Sequence, residues 1–402
     1  MSDENINLYK LLTTGSHKEI KDKLLIEISK IAKYCTETVG EGYFGKVTIP
    51  SVGPFIGIKV GEDIVVLPTA IKESKHMGNS DVIFENVDRD LIIYSDNSLT
   101  CEAIILFIMS KLWYKSKNIH LPFLIGMGMC EYGKLIVSHL IIEKYGRDSL
   151  TELDIGKYIS DPTRLSNPYR IIKSYITTVG DLIDYIIMNK NDKLMCTLPN
   201  DQIIYFPELI DNLCIFFLHT SYFLWSECKI TLGDQHLSNI FIHWLSNYSN
   251  CGNRSTEKIK NIYYELKDNT YIKVKANGII FKIGDIGCSA MAIQKNVIIM
   301  GDLANRDNLD RIKMYKKKCN IYLDPILKIL SVLPIEVLIK TKIFNIISSN
   351  KELSKYYPNI GYLEKDNAVA PTELDILMNN AYSDLIMKEY VDDEENFTIF
   401  LK

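Results

Sequence analysis

The hydrophobic pattern of this chain changes character near residue 145, and that change limits the folds open to it. From about 36 to 75 the sequence is rich in Val, Ile, Gly and Pro. With the turn-forming stretches "PSVGP" and "VGED" it predicts three strands. "LTCEAIILFIMSKLWYK" then predicts a helix over 97–115, with Asn97 or Ser98 to cap it. "FLIGMGMC" and "KLIVSHLIIE" predict two further strands joined at "EYGK". Beyond 145 helical spacing dominates, most clearly in "TVGDLIDYIIM" and in "FPELIDNLCIFFLHTSYFLWSE", which is apolar enough to run through a core. Strand-like pieces return at 239–244 and 271–284, and helices are expected from there to the end. The implied class is α+β: a small five-stranded antiparallel half with one main helix, then a larger helical half.

Three segments stand apart from that frame. Residues 6–34 carry apolar Leu24, Leu25, Ile28, Ile31 and Ala32 at helical spacing, so 1–35 reads as a helical extension. "SNYSNCGNRSTEK" (246–258) reads as a surface insertion, and "VDDEEN" near the C-terminus as a solvated acidic stretch.

At 402 residues, 47% hydrophobic and 24% charged, the chain can bury one large core or two lobes. A formal net charge of −4 argues against a dedicated nucleic-acid binder. Nine scattered cysteines without a C-x-x-C pair suit free thiols in a reducing compartment. "MSDENINLYKLL" is not a secretory signal, and the longest apolar runs, such as "AIILFIM", are too short to span a bilayer. A cytoplasmic protein without a membrane span is the expectation.

"VGEGYFGKV" (39–47) sets Gly40, Gly42, Gly45 and Val47 in G-x-G-x-x-G-x-V spacing. Glycines serve where backbone must approach phosphate oxygens closely. A dinucleotide-binding unit would continue into a helix, but strand-like "KVTIP" follows, so the glycines would close a hairpin over the phosphates. Such a hairpin needs a lysine on a nearby strand. "LPTAIKES" offers Lys72, with Ala70 small enough to line an adenine pocket, and "IGIKV" offers Lys59 as a competitor. Lys72 is favoured because a full strand, "PFIGIKV", then fits before the turn "GED". Glu102 is the charged residue on an otherwise apolar helix and needs a cationic partner. Glu85 is the weaker alternative, since "FENVDRD" reads as a loop.

"ITLGDQHLSNIFI" (230–242) places Asp234 and Asn239 in D-x-x-x-x-N spacing, where the aspartate would accept an acceptor hydroxyl's proton and the asparagine would ligate Mg²⁺. "FKIGDIGCS" follows with Asp285-Ile286-Gly287 after a strand, its carboxylate a second hard oxygen donor for the metal.

In this order, the elements resemble the eukaryotic-type protein kinase superfamily over residues 35 to 330. "LIIEKYGRDSLTEL" (140–153) is similar to the hinge of the casein-kinase-one and vaccinia-related kinase group. The divergent motifs and the Ile-, Asn- and Lys-rich usage resemble serine/threonine kinases of large cytoplasmic DNA viruses, which would place the chain in host cytoplasm or virion. The resemblance implies a bilobal fold: an ATP-binding N-lobe over 36–143, and a catalytic C-lobe over 144–402 with an insertion near 243–275. It also implies adenine bonded to backbone near Glu143 and Tyr145, ATP with Mg²⁺ or Mn²⁺ as cofactors, and protein substrates.

Three departures bear on that reading. Gly233 replaces the arginine of H-R-D, which implies activity independent of activation-loop phosphorylation. His236 stands where a lysine is usual, and "LGDQHLSN" is similar to the H-G-D-x-H-x-x-N loop of aminoglycoside- and choline-type kinases. No A-P-E follows Asp285, and the basic "RIKMYKKK" (311–318) reads as a solvated helix face. A small-molecule kinase and a pseudokinase scaffold are therefore the competing functions.

Overall fold

The computed structural model describes residues 35–41, 45–50, 55–60, 63–74, 82–87, 89–95, 99–116, 118–131, 135–143, 177–188, 194–197, 203–232, 235–244, 259–301, 323–350, 373–391 and 396–401. The expected helix over 6–34, the caps Asn97 and Ser98, the 246–258 insertion and the basic 311–318 stretch lie outside these residues. So does most of the acidic "VDDEEN".

The architecture is α+β, with several sheets and seven helices among the described residues. The chain begins with β1 (Cys35–Glu41), β2 (Gly45–Pro50), β3 (Phe55–Val60) and β4 (Asp63–Ser74), four strands where the pattern predicts three. The extra pairing comes from the length of β4. Its C-terminal part pairs with β2 and later with β8, while Asp63–Pro68 pairs with β3. β5 (Val82–Val87) and β6 (Asp90–Ser95) form a hairpin where a loop is expected, with Asn86 opposite Leu91. Helix α1 (Thr100–Ser116) follows, then β7 (Leu124–Glu131) and β8 (Leu135–Glu143). The first sheet runs β1-β2-β4-β8-β7, antiparallel throughout, and β3 beside β4 makes it six-stranded rather than five.

The second half opens with α2 (Val179–Met188), the small pair β9 (Met195–Thr197) and β10 (Ile203–Tyr205), and the long α3 (Phe206–Cys228). Most residues of α3 are buried and none is exposed, as its all-round apolar sequence requires. It ends because Lys229 takes a left-handed conformation, φ 54°, and donates its N–H to the Trp225 carbonyl at 3.0 Å. That reversal feeds β11 (Ile230–Thr231), a short turn at Leu237–Asn239, and β12 (Ile240–Trp244).

β13 (Asn261–Glu265), β14 (Tyr271–Lys275) and β15 (Ile279–Ile283) come next, β15 antiparallel to β12. Helices are expected after Asp285, but β16 (Ala290–Gln294) and β17 (Val297–Met300) form there instead. "AMAIQKNVIIM" folds as a hairpin, and its apolar strands are covered from both sides in a sheet ordered β11-β16-β17-β6-β5. Helices α4 (Leu323–Val332), α5 (Ile335–Leu338), α6 (Lys342–Ser349) and α7 (Glu373–Leu377) then pack on α3. β18 (Ile386–Met387) and β19 (Asn396–Ile399) complete a four-stranded sheet with β14 and β13. Its last residues reach back to α1, where the Phe400 N–H meets the Ser116 carbonyl at 3.0 Å. One apolar core joins α1, α2, α3 and the C-terminal helices. No helix among the described residues is long and apolar enough to cross a membrane.

Candidate active site

Three elements meet at Lys72. The strand β4 carries it in the middle of the first sheet, with Val47 beside it on β2 and Leu140 on β8. Helix α1 brings Glu102, and the turn after β15 brings Asp285. The Lys72 ammonium donates to both Glu102 carboxylate oxygens, at 2.9 and 3.0 Å, and to Asp285 Oδ1 at 3.0 Å. Glu102 is buried, Lys72 is 12% exposed at its side chain, and the Asp285 side chain is 55% exposed, so the cluster opens to solvent on one side.

Burial alone would lower the Lys72 pKa, but the two carboxylates outweigh it and hold the ammonium above its ordinary range. Burial likewise pushes Asp285 up; the Lys72 charge, the Gly287 N–H at 3.1 Å and the charge of His236 more than reverse this and leave the carboxyl below its usual range. The result is a fixed cation flanked by a charged, partly exposed carboxylate.

Glycines let the turn close. A Cβ on Gly284 would lie 2.1 Å from the Phe241 ring and 2.8 Å from the Asn239 carbonyl oxygen. The same approach allows the Gly284 N–H to reach that carbonyl at 2.7 Å, which brings Asn239, just before β12, close to Asp285, two residues past the end of β15. A Cβ on Gly287 would lie 3.3 Å from Asp285 Oδ1 and 3.5 Å from Glu102 Oε2, against the ion cluster itself. Ile286 is buried as an apolar anchor. Gly284 has no signal of its own in the sequence, because its requirement comes from a ring on another strand.

Ala70 is buried two positions before Lys72, hence on the same face of β4, and Val47 is half-buried beside it. Gly40 pairs with Val47 across the β1–β2 hairpin, with a register shift between Thr38 and Gly40, and Gly45 opens β2 opposite Ser74. Glu143 ends β8 opposite Thr69. Gly42, Tyr145, Gly233 and Asp234 lie outside the described residues. Their neighbours Leu232 and Gln235 are buried, and His236 is exposed. Of the alternatives, Lys59 sits opposite Ile64 on the β3–β4 extension, and Glu85 is exposed on β5, receiving the Tyr94 hydroxyl at 3.4 Å. Glu85 does not join the cluster.

Asp285 and Asn239 supply hard oxygen donors of the kind Mg²⁺ takes. No group of three or more His, Cys, Asp or Glu residues fit to hold a metal occurs among the described residues. No family model matches the chain, and no curated protein sequence matches it either.

Proposed function

We propose that the chain is an ATP- and Mg²⁺-dependent protein kinase acting on serine or threonine, with the nucleotide held between an N-lobe over 36–143 and a C-lobe over 144–402. The observation that carries this reading is the Lys72 ammonium clasped by Glu102 and Asp285 at 2.9–3.0 Å. A lysine fixed from two sides offers a placed positive charge to nucleotide phosphates, and the glycines of the β1–β2 hairpin allow backbone to approach them. Ala70 and Val47 would line the adenine, and Glu143 and Tyr145 would offer it backbone hydrogen bonds. Mg-ATP, when bound, supplies the transferable phosphoryl group and neutralises charge as it moves. Asp285 and Asn239 would hold the metal, and Asp234 would orient the acceptor hydroxyl and take its proton. Positioning and charge stabilisation account for most of the expected rate enhancement.

The test is transfer from radiolabelled ATP to acidic and basic proteins with Mg²⁺ or Mn²⁺. Wild type is expected to label serine or threonine, and Asp285→Ala to lose that transfer. A wild type that labels no protein refutes the reading. A second reading, phosphorylation of a small molecule on the same architecture, is favoured by His236, which is exposed and close enough to Asp285 to influence its charge. It predicts label on small hydroxyl compounds and on no protein.

A further inference from the structure

We propose that the β16–β17 hairpin is the positioning element for Glu102: it ties the turn bearing Asp285 to the helix bearing Glu102, so that the fold's own strands hold the Lys72 cluster assembled. The proposal deepens the phosphotransfer reading and takes from it only the importance of that cluster.

The connection can be followed bond by bond. After Asp285 the Ser289 N–H closes a turn onto the Ile286 carbonyl at 2.8 Å. β16 then pairs with β11, immediately before the loop that contains Asp234. β17 returns, and the Gly301 N–H donates to the Ser289 carbonyl at 2.9 Å. A Cβ on Gly301 would lie 2.2 Å from the Gly287 carbonyl oxygen, so the end of β17 rests directly on the Asp285 turn. The other edge of β17 pairs in parallel with β6, Val297 opposite Leu91 through Met300 opposite Tyr94, and the Leu91 N–H meets the Asn296 carbonyl at 2.8 Å. Ser95, the last residue of β6, accepts the Cys101 N–H on its hydroxyl at 2.8 Å. Glu102 is the next residue. From Asp285 through β17, β6 and α1 to Glu102 and back across Lys72, the ring is closed.

A parallel pairing between segments so far apart in sequence must offset a loop-closure cost. Here the offset comes from a small apolar cluster of Ile92, Ala290, Ile298 and Met300, with Val87 and Tyr94 against it, separate from the main core. The opposite face of the hairpin, with Met291, Ile293 and Ile299, belongs to the main core, so a substitution at Ile298 loosens the hairpin from the side of the small cluster first. β17 also lies against α1, so its release frees the helix that carries Glu102.

Two buried thiols report on this. Cys101 is in the first turn of α1, and Cys214 is in the middle of α3; both are free and fully buried. The experiment is peptide-resolved alkylation with N-ethylmaleimide, alongside amide exchange of residues 297–300. Ile298→Asp sets an unpaired carboxylate in the small cluster, where it is costly. Cys101 is expected to react about tenfold faster than in wild type or more, with Cys214 unchanged, as local opening requires. The KM for ATP should rise with it, and Ile298→Val should restore both. If amides 297–300 exchange freely while Cys101 stays protected, the proposal is overturned. Should Ile298→Asp expose Cys214 as well, Ile298→Ala decides by the same comparison: a faster Cys101 beside a protected Cys214 supports the proposal, and unchanged rates refute it. Alkylation needs no turnover, so a chain that transfers no phosphate would defeat the proposed function and leave this inference to be judged on Cys101.

Discussion

A lysine as enclosed as Lys72 keeps its charge because carboxylates flank it, and each carboxylate depends on the lysine in turn. Taking one partner from a buried ion pair leaves a charge with too little compensation, at a cost of roughly 3–5 kcal/mol. Lys72→Met should therefore lower the urea midpoint by an amount corresponding to about 3 kcal/mol and remove phosphotransfer, because Glu102 stays buried. Lys59→Met, in the β3–β4 extension, should leave both unchanged. Lys72 is favoured over Lys59 because a full strand, "PFIGIKV", fits before the turn "GED", and the structure has that strand at Phe55–Val60. Glu102 was legible for a different reason: a carboxylate on an apolar helix must have a partner. Gly284 and Gly301 were not, because the atoms that forbid a side chain there belong to Phe241 and Gly287 and arrive only through tertiary packing.

The strands at 124–131 and 135–143 and the long helix α3 follow from local pattern. β16 and β17 do not, since a short apolar run reads equally as buried strand or buried helix until a sheet edge is supplied, here by β6. The start of α6 shows a similar dependence on distant residues. Its N-cap Thr341 makes no side-chain capping bond; the Lys342 and Ile343 N–H groups donate instead to Asp211 on α3, at 2.8 and 2.9 Å, and the Tyr382 hydroxyl adds a third bond at 3.3 Å. Asp211 is thus a cap supplied from another helix. Asp211→Ala strands those buried donors and should cost about 1–3 kcal/mol, with faster amide exchange in the first turn of α6 than in α3. Equal exchange in both helices would show that the cap does not hold α6.

For the whole molecule, the buried titratable groups set a pH dependence whose sign can be worked out. His120 is fully buried, its Nδ1–H donating to the Phe281 carbonyl at 2.7 Å while Nε2 accepts from the Tyr264 hydroxyl at 2.8 Å. His219 is equally buried and donates from Nε2 to the Glu265 carbonyl at 2.8 Å. Burial lowers the first to about 3 and the second to about 4, from an ordinary 6.5. The unfolded chain therefore binds protons that the folded chain refuses, and this stability, full above 6.5, is lost as the pH falls. Asp211 acts oppositely: burial raises its carboxyl from 3.8 to about 6 despite the hydrogen bonds it accepts, so between those values the folded chain holds the extra proton and acidification favours it. Among the described residues, these two imidazoles against one carboxyl leave the unfolded chain about one proton ahead between pH 6 and 4. The unfolding free energy should then fall by roughly 1.4 kcal/mol per pH unit there. In Asp211→Asn the opposing proton is gone and the same plot should steepen to about twice that slope. Urea denaturation of both proteins from pH 7 to 4 measures this directly, and parallel plots would mean that Asp211 is already ionised in the fold across that range.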